Sequence, residues 1–209
     1  MNQPHNKHLW RSYFHKIDSE EKAYWLGFIL GDGCLYRNGY TVGINLKDSD
    51  DKHLLKFAKA IRWKGNLYYY KPQKTVLLGI SSKEMHADLM NLGLTPAKSL
   101  TAKWPKVPKK YECHVLRGLF DADGCIQSYS KGRYACFSLV GTKNILINAK
   151  RILKLSNKIS PSHTTWQICR RGTPAVYKIY KILYKDATVW LDRKHERFLN
   201  FFGNYEPHK

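Results

Sequence analysis

The stretches WLGFILGDG (residues 25–33) and LRGLFDADG (residues 116–124) are one kind of segment written twice. Each is an apolar run at helical spacing that closes on a small residue, Asp and Gly. A turn needs only Asp-Gly and a core needs only the apolar residues, so the duplication constrains the fold more than either part alone. The surroundings repeat as well, at a period of about 90 residues. Two pseudo-equivalent halves in one chain are expected to pack about a pseudo-twofold axis, as a homodimer does about a true one.

The first half reads as helix, two strands, helix, two strands, helix. Asp18-Ser-Glu-Glu21 resembles a capping box opening a helix that ends near Gly31. CLYRNGYTVGINLK reads as a hairpin turning at Asn38-Gly39, with Val42, Ile44 and Leu46 on one face and Thr41, Asn45 and Lys47 on the other. DDKHLLKFAKAI places Leu54, Leu55, Ala58 and Ile61 at helical spacing. A second hairpin turns at Lys71-Pro72-Gln73-Lys74, and a short helix covers residues 82–91. In the second half a helix spans 111–122 and a hairpin turns at Lys131-Gly132. TKNILINAKRILKL is a helix, TTWQICRR a strand and 174–185 a helix. The expected organisation is an N-terminal extension (1–18), a first half (19–94), a Pro- and Lys-rich linker (95–110) and a second half (111–209). Trp10, Tyr13 and Phe14 are candidates to dock the extension on the first half.

The net charge of +20 on 209 residues marks a polyanion as the partner. Residues 1–105 carry 16 Lys/Arg and 9 Asp/Glu, and residues 106–209 carry 20 and 7, so the charge is no detachable tail. Nucleic acid is the first candidate. A membrane is disfavoured because no apolar run approaches the roughly 20 residues needed to span one, and the polar N-terminus does not resemble a secretory signal. The expected setting is the cytoplasm or an organellar matrix, at the DNA, neither secreted nor membrane-bound. Cys34, Cys113, Cys125, Cys136 and Cys169 lack the close pairing of zinc ligands, so reduced thiols are expected.

Gly27 and Gly31, and equally Gly118 and Ala122, lie four residues apart. Small residues at that spacing let two helix backbones approach closely, which nominates the two nonapeptide helices as the interface between halves. Such packing brings Asp32 and Asp123 together at two helix C-termini, each already partly negative. Like carboxylates in apposition resist joint ionisation, so stability alone does not explain them. Divalent cations do: Asp32, Asp123 and the backbone carbonyls of Gly31 and Ala122 form a hard oxygen set suited to Mg²⁺.

Both nonapeptides resemble the LAGLIDADG motif, and residues 19–202 resemble a single-chain, two-motif LAGLIDADG homing endonuclease. Leu116, Gly118, Leu119, Asp121, Ala122, Asp123 and Gly124 match the motif closely. The first copy is looser, with Trp25 and Leu26 opening it and Leu30 at the earlier aspartate position, a cap or packing site in the family. The resemblance implies an α+β fold of two αββαββα halves packed through paired motif helices, with two antiparallel sheets forming a saddle over DNA. It implies a monomer that cuts both strands of a long, non-palindromic target by metal-dependent hydrolysis, with Asp32 and Asp123 as metal ligands. Mg²⁺ is the implied cofactor, Mn²⁺ is expected to substitute, and Ca²⁺ to support binding without cleavage.

Strand alternation supplies the candidate DNA faces: Tyr36, Arg37, Thr41, Asn45, Asn66, Tyr68 and Tyr70 in the first half, and Gln127, Arg133, Ser138, Gln167 and Arg171 in the second. Lys71, Lys74, Lys131 and Arg170 are candidates to grip phosphates. A lysine following the last strand of each half assists catalysis in the family, which nominates Lys98 and Lys194, with Lys47 as an alternative. Intron homing is the implied biology. Two other outcomes stay open: an intron maturase acting on its own intron RNA, and a DNA-binding protein on the same fold that does not cleave.

Overall fold

The first motif helix, α1 (Glu20–Asp32), is buried on every side from Lys22 to Leu30, the signature of a core helix rather than a surface one. It begins one residue later than the sequence suggests. Ser19 Oγ accepts the Lys22 N–H at 3.2 Å, while Asp18 instead pairs with the Lys22 ammonium at 3.0 Å. The computed structural model describes residues 7–129 and 134–202. After α1 come β1 (Gly33–Leu35), β2 (Thr41–Lys47), α2 (Asp51–Ala60), β3 (Tyr68–Tyr70), β4 (Thr75–Ser81) and α3 (Lys83–Asn91). The second half follows as α4 (Glu112–Asp123), β5 (Gly124–Tyr129), β6 (Tyr134–Gly141), α5 (Lys143–Ile152), β7 (Ile159–Ser162), β8 (Thr165–Arg171), α6 (Thr173–Tyr184) and α7 (Asp192–Phe202).

Each half folds into a four-stranded antiparallel sheet, in the orders β1-β2-β4-β3 and β5-β6-β8-β7. Val42, Ile44 and Leu46 point to the helix side with Val76, Leu78 and Ile80. Their alternates form the opposite face, which no helix of the described residues covers. The first hairpin pairs Leu35 with Val42, but the positive φ values fall on Gly39 and Tyr40 rather than on Asn38.

The helix pair α1–α4 joins the halves, and glycines set its spacing. A Cβ on Gly27 would lie 1.9 Å from the Val115 carbonyl oxygen, and one on Gly118 would lie 2.0 Å from that of Tyr24. Backbone packs on backbone at both points. Charge then ties the halves together around this contact. Arg117, only 1% exposed, donates to Glu20 at 2.5 Å and to the Leu183 and Val189 carbonyls at 3.0 Å. The start of α7 reaches across to the first half, through Lys56–Asp192 at 2.6 Å and Arg193–Asp50 at 2.8 Å.

Several expectations need revision. Leu55 is 52% exposed, and Phe57 takes its place on the buried face of α2. Strand β7, which the resemblance implies, has no local signature because Pro161 interrupts it, which an edge strand tolerates. Helix α7 escaped because charged residues surround its few apolar anchors, Phe198 and Phe202. The linker is not loose chain, whereas residues 7–18 of the extension dock on the first half as expected. Tyr13, Phe14 and Ile17 are buried in the core, and Trp10 N–H donates to the Ile61 carbonyl at 2.8 Å. In the linker, Ala102 accepts from Thr142 Oγ1 at 2.6 Å, and Lys98 is buried.

Gly118→Ala should therefore cost about 3 kcal/mol or more in urea denaturation, since the clash is with backbone that cannot move aside. Gly79→Ala is the control: a Cβ there meets nothing within 4 Å, so the change should be neutral or slightly stabilising, within about 1 kcal/mol.

Candidate active site at the paired helix ends

Gly31 and Ala122 face each other where the two helices end. A Cβ on Gly31 would lie 2.3 Å from the Ala122 Cβ and 3.1 Å from Asp123 Oδ2. Asp123 thus reaches over the last turn of α1, close to the half-buried Asp32. Neither carboxylate has a hydrogen bond or ion pair among the described residues. Burial, then the charge of Asp123, pushes the Asp32 carboxyl up to about 6. Asp123 shifts the same way because protein crowds its carboxylate, although its outer edge meets solvent.

The two lysines nominated from sequence occupy matching positions. Lys98 Nζ donates to the Gly31 carbonyl at 3.1 Å and to the Gly33 carbonyl. Lys194 Nζ donates to the Phe120, Ala122 and Gly124 carbonyls at 2.7, 3.0 and 2.6 Å. Both are buried. Burial lowers the Lys98 ammonium and brings that of Lys194 down to about 8. This changes two expectations. The Gly31 and Ala122 carbonyls, assigned from sequence to a metal, each already accept a lysine, because a helix C-terminus attracts a cation. The lysines themselves turn toward backbone rather than outward. Lys47 is exposed on the uncovered face of the first sheet, opposite Thr75.

Behind the site the halves are asymmetric. Asp121 is fully buried and accepts from Tyr24 Oη at 2.8 Å, from the Leu191 N–H at 2.8 Å and from Tyr184 Oη. Leu30 takes the equivalent place in the first copy. His53 Nε2 lies 3.0 Å from Tyr24 Oη. Burial drives the His53 imidazole down to about 3, so it is neutral, and with the tyrosine proton committed to Asp121 it must donate through Nε2. Nothing in the sequence marks this chain of contacts, which depends on four helices meeting.

The uncovered sheet faces carry most of the polar residues nominated from strand alternation. Thr41 and Asn45 lie there on β2, and Tyr68 and Tyr70 on β3, while Tyr69 turns back to bond Asp51 at 2.8 Å. The Tyr36 ring lies across Gly43, 2.8 Å from where a Cβ would stand. Arg37, Asn66, Lys71 and Lys74 are exposed in the adjoining loops. In the second sheet, pairing aligns Gln127 with Cys136, Ser138 with Cys169, Val140 with Gln167 and Cys136 with Arg171 on one face. Arg170 is a correction: it pairs with buried Phe137 and so faces the helix side. Lys131 and Arg133 lie outside the described residues. Tyr134, 57% exposed, sits on the same face as Cys136 and was passed over, although the alternation that selected Ser138 selects it too.

All five cysteines are free thiols. Among the described residues no group of three or more His, Cys, Asp or Glu is placed to hold a metal, and no helix is long and apolar enough to cross a membrane.

Two outcomes follow for stability. Lys194→Met should cost about 2–4 kcal/mol by leaving buried carbonyls unpaired, whereas Lys47→Met should have little effect. Asp32→Asn should stabilise by about 1–2 kcal/mol near pH 8, after allowing for partial exposure. Because the folded-state carboxyl is raised, its charge opposes folding above about pH 6. That penalty, and with it the advantage of Asn, should fade as pH falls toward about 4, in melting curves recorded across that range.

No protein-family model and no curated protein sequence matches the chain. Solved structures do. The LAGLIDADG meganuclease I-AabMI bound to uncleaved DNA is 14% identical with a TM-score of 0.59, over 86% of this chain and 88% of that one. Meganuclease I-SmaMI bound to uncleaveable DNA is 10% identical with a TM-score of 0.62, over 88% and 90%. The N-terminal LAGLIDADG domain of DUF199/WhiA is 12% identical with a TM-score of 0.53, over 88% and 94%. The chain has the fold of the LAGLIDADG homing endonucleases, with both motif helices in one polypeptide.

Proposed function

We propose that this protein is a site-specific endonuclease that hydrolyses both strands of a long, non-palindromic DNA duplex. The observation that carries the proposal is the pair of unpartnered carboxylates, Asp32 and Asp123, held together at the helix ends between two uncovered, polar sheet faces. The fold is shared with DUF199/WhiA as well as with the DNA-bound meganucleases, so the fold alone does not decide the chemistry.

The carboxylates fit a divalent cation. They lack protein partners, burial raises both, and the charge of Asp123 further holds the proton on Asp32, which is an unmet demand for positive charge. With only two acidic side chains present, the rest of a coordination shell would come from water and phosphate oxygens, the usual arrangement for Mg²⁺. When bound, Mg²⁺ lowers the pKa of the attacking water and stabilises the departing oxygen. Asp32 and Asp123 each orient the water for one strand. Lys98 and Lys194 offset the negative helix ends, so that two carboxylates and a phosphate are tolerated in one place. The sheet faces bind the duplex, with Asn45, Gln127 and Gln167 among the side chains aimed at base edges and Lys71 and Lys74 at phosphates.

The uninterrupted form of the host locus is the nominated target. In Mg²⁺ the protein should cut such a duplex, and in Ca²⁺ bind it without cutting. The Asp32→Asn/Asp123→Asn variant should lose at least about 100-fold in cleavage rate and keep its affinity. Robust cleavage by that variant overturns the proposal, while tight binding without cleavage by the unaltered protein assigns it to a non-cleaving role. If about 6–10 phosphates are engaged, affinity should fall roughly 10³–10⁵-fold between 50 and 200 mM salt. At limiting Mg²⁺, cleavage should fall about tenfold per unit as pH drops below about 6, where Asp32 takes up a proton.

A further inference from the structure

Arg170 faces away from the surface proposed for duplex DNA, into a cavity of about 560 Å³ on the helix side of the second sheet. The loop after α5, the end of β8 and the first turns of α6 enclose it. Lys154, Arg170 and Lys178 stand around it, and no Asp or Glu contributes to its lining. None of those three cationic side chains has a hydrogen bond or ion pair among the described residues. Leu153, Ile179 and Ile182 provide an apolar floor. Asn157 Oδ1 is shut off from water there with no hydrogen-bond partner. A buried acceptor of that kind calls for an N–H or O–H donor.

The three features select a ligand with an anionic group, a flat apolar part and a donor attached to it. We propose that the cavity binds one unpaired nucleotide. Its phosphate sits against Lys154, Arg170 and Lys178, its base lies on the aliphatic floor, and a base N–H or ribose O–H donates to Asn157. The volume is in the usual range for a small-ligand site, about 300–1,000 Å³. A base stacked inside a duplex cannot enter, so the ligand is either a free nucleotide or an unpaired residue of a single strand. The site opens on the helix side of the sheet, shares only Arg171 with the sheet face, and does not depend on the cleavage proposal.

The test uses the full chain with four probes at matched ionic strength: AMP, inorganic phosphate, a labelled single-stranded oligonucleotide and a labelled duplex. AMP should bind saturably where inorganic phosphate does not. Arg170→Glu/Lys178→Glu should weaken AMP and single-strand binding by about tenfold or more while duplex affinity changes by less than about twofold. Asn157→Leu, which leaves the charge intact, should weaken AMP binding by about fivefold. Circular dichroism establishes that the variants are folded. A strand bound about tenfold tighter than AMP assigns the unpaired residue of a chain, and equal affinity assigns the free nucleotide. The proposal is overturned if no probe but duplex binds, if phosphate binds as AMP does, if Asn157→Leu binds AMP as the unaltered protein does, or if the charge reversals weaken duplex and single strand alike.

Discussion

The contact on which everything else rests is backbone against backbone, where α1 crosses α4. Gly27 lies on the Val115 carbonyl and Gly118 on that of Tyr24. No side chain can be inserted at either point without forcing the helices apart. Because the helices are this close along their length, their C-terminal ends emerge side by side, with Gly31 against Ala122 and Asp123 over both. The separation of the two carboxylates is thus a consequence of how the halves pack, and the sheets take their positions on either side of the same pair.

Electrostatics makes that arrangement costly and explains the groups gathered around it. Two helix ends and two carboxylates place negative charge in one small volume, and the raised Asp32 carboxyl registers the strain. Lys98, from the segment between the halves, and Lys194, from α7, answer it by donating to the carbonyls at the helix ends. These lysines solve one problem twice, once for each half, and the shared contact with the helix-end carbonyls is a stronger sign of functional pairing than sequence position alone. The Glu20–Arg117 pair and the Arg193–Asp50 pair then fix the elements that deliver them. A site that opposes folding but is supported so thoroughly is a common mark of function.

Much of this was legible in the sequence because it depends on periodicity. The duplicated nonapeptides, the four-residue spacing of small residues and the period-two alternation of β2 identify the interface helices, the paired aspartates and the polar sheet face. Even the separation of Tyr68 and Tyr70 from Tyr69 follows from alternation. Arg170 was misplaced for want of the same rule: it alternates with Ile168 and Trp166, on the covered side. What escaped was tertiary. No local pattern says that Lys98 and Lys194 reach the carbonyls of the helix ends, or that His53, Tyr24, Asp121 and Tyr184 form one buried chain of polar contacts. Pro161 in β7 and the dense charge of α7 concealed elements whose formation depends on neighbours already in place.

On the proposed function, helix packing brings two aspartates far apart in sequence together to bind divalent cation. Mn²⁺ binding to the protein–duplex complex, followed by electron paramagnetic resonance, tests it most directly. Asp32→Asn and Asp123→Asn should each weaken Mn²⁺ binding by about tenfold or more, with the double substitution adding less than the sum of the two. Unchanged Mn²⁺ affinity in the double variant would contradict the account.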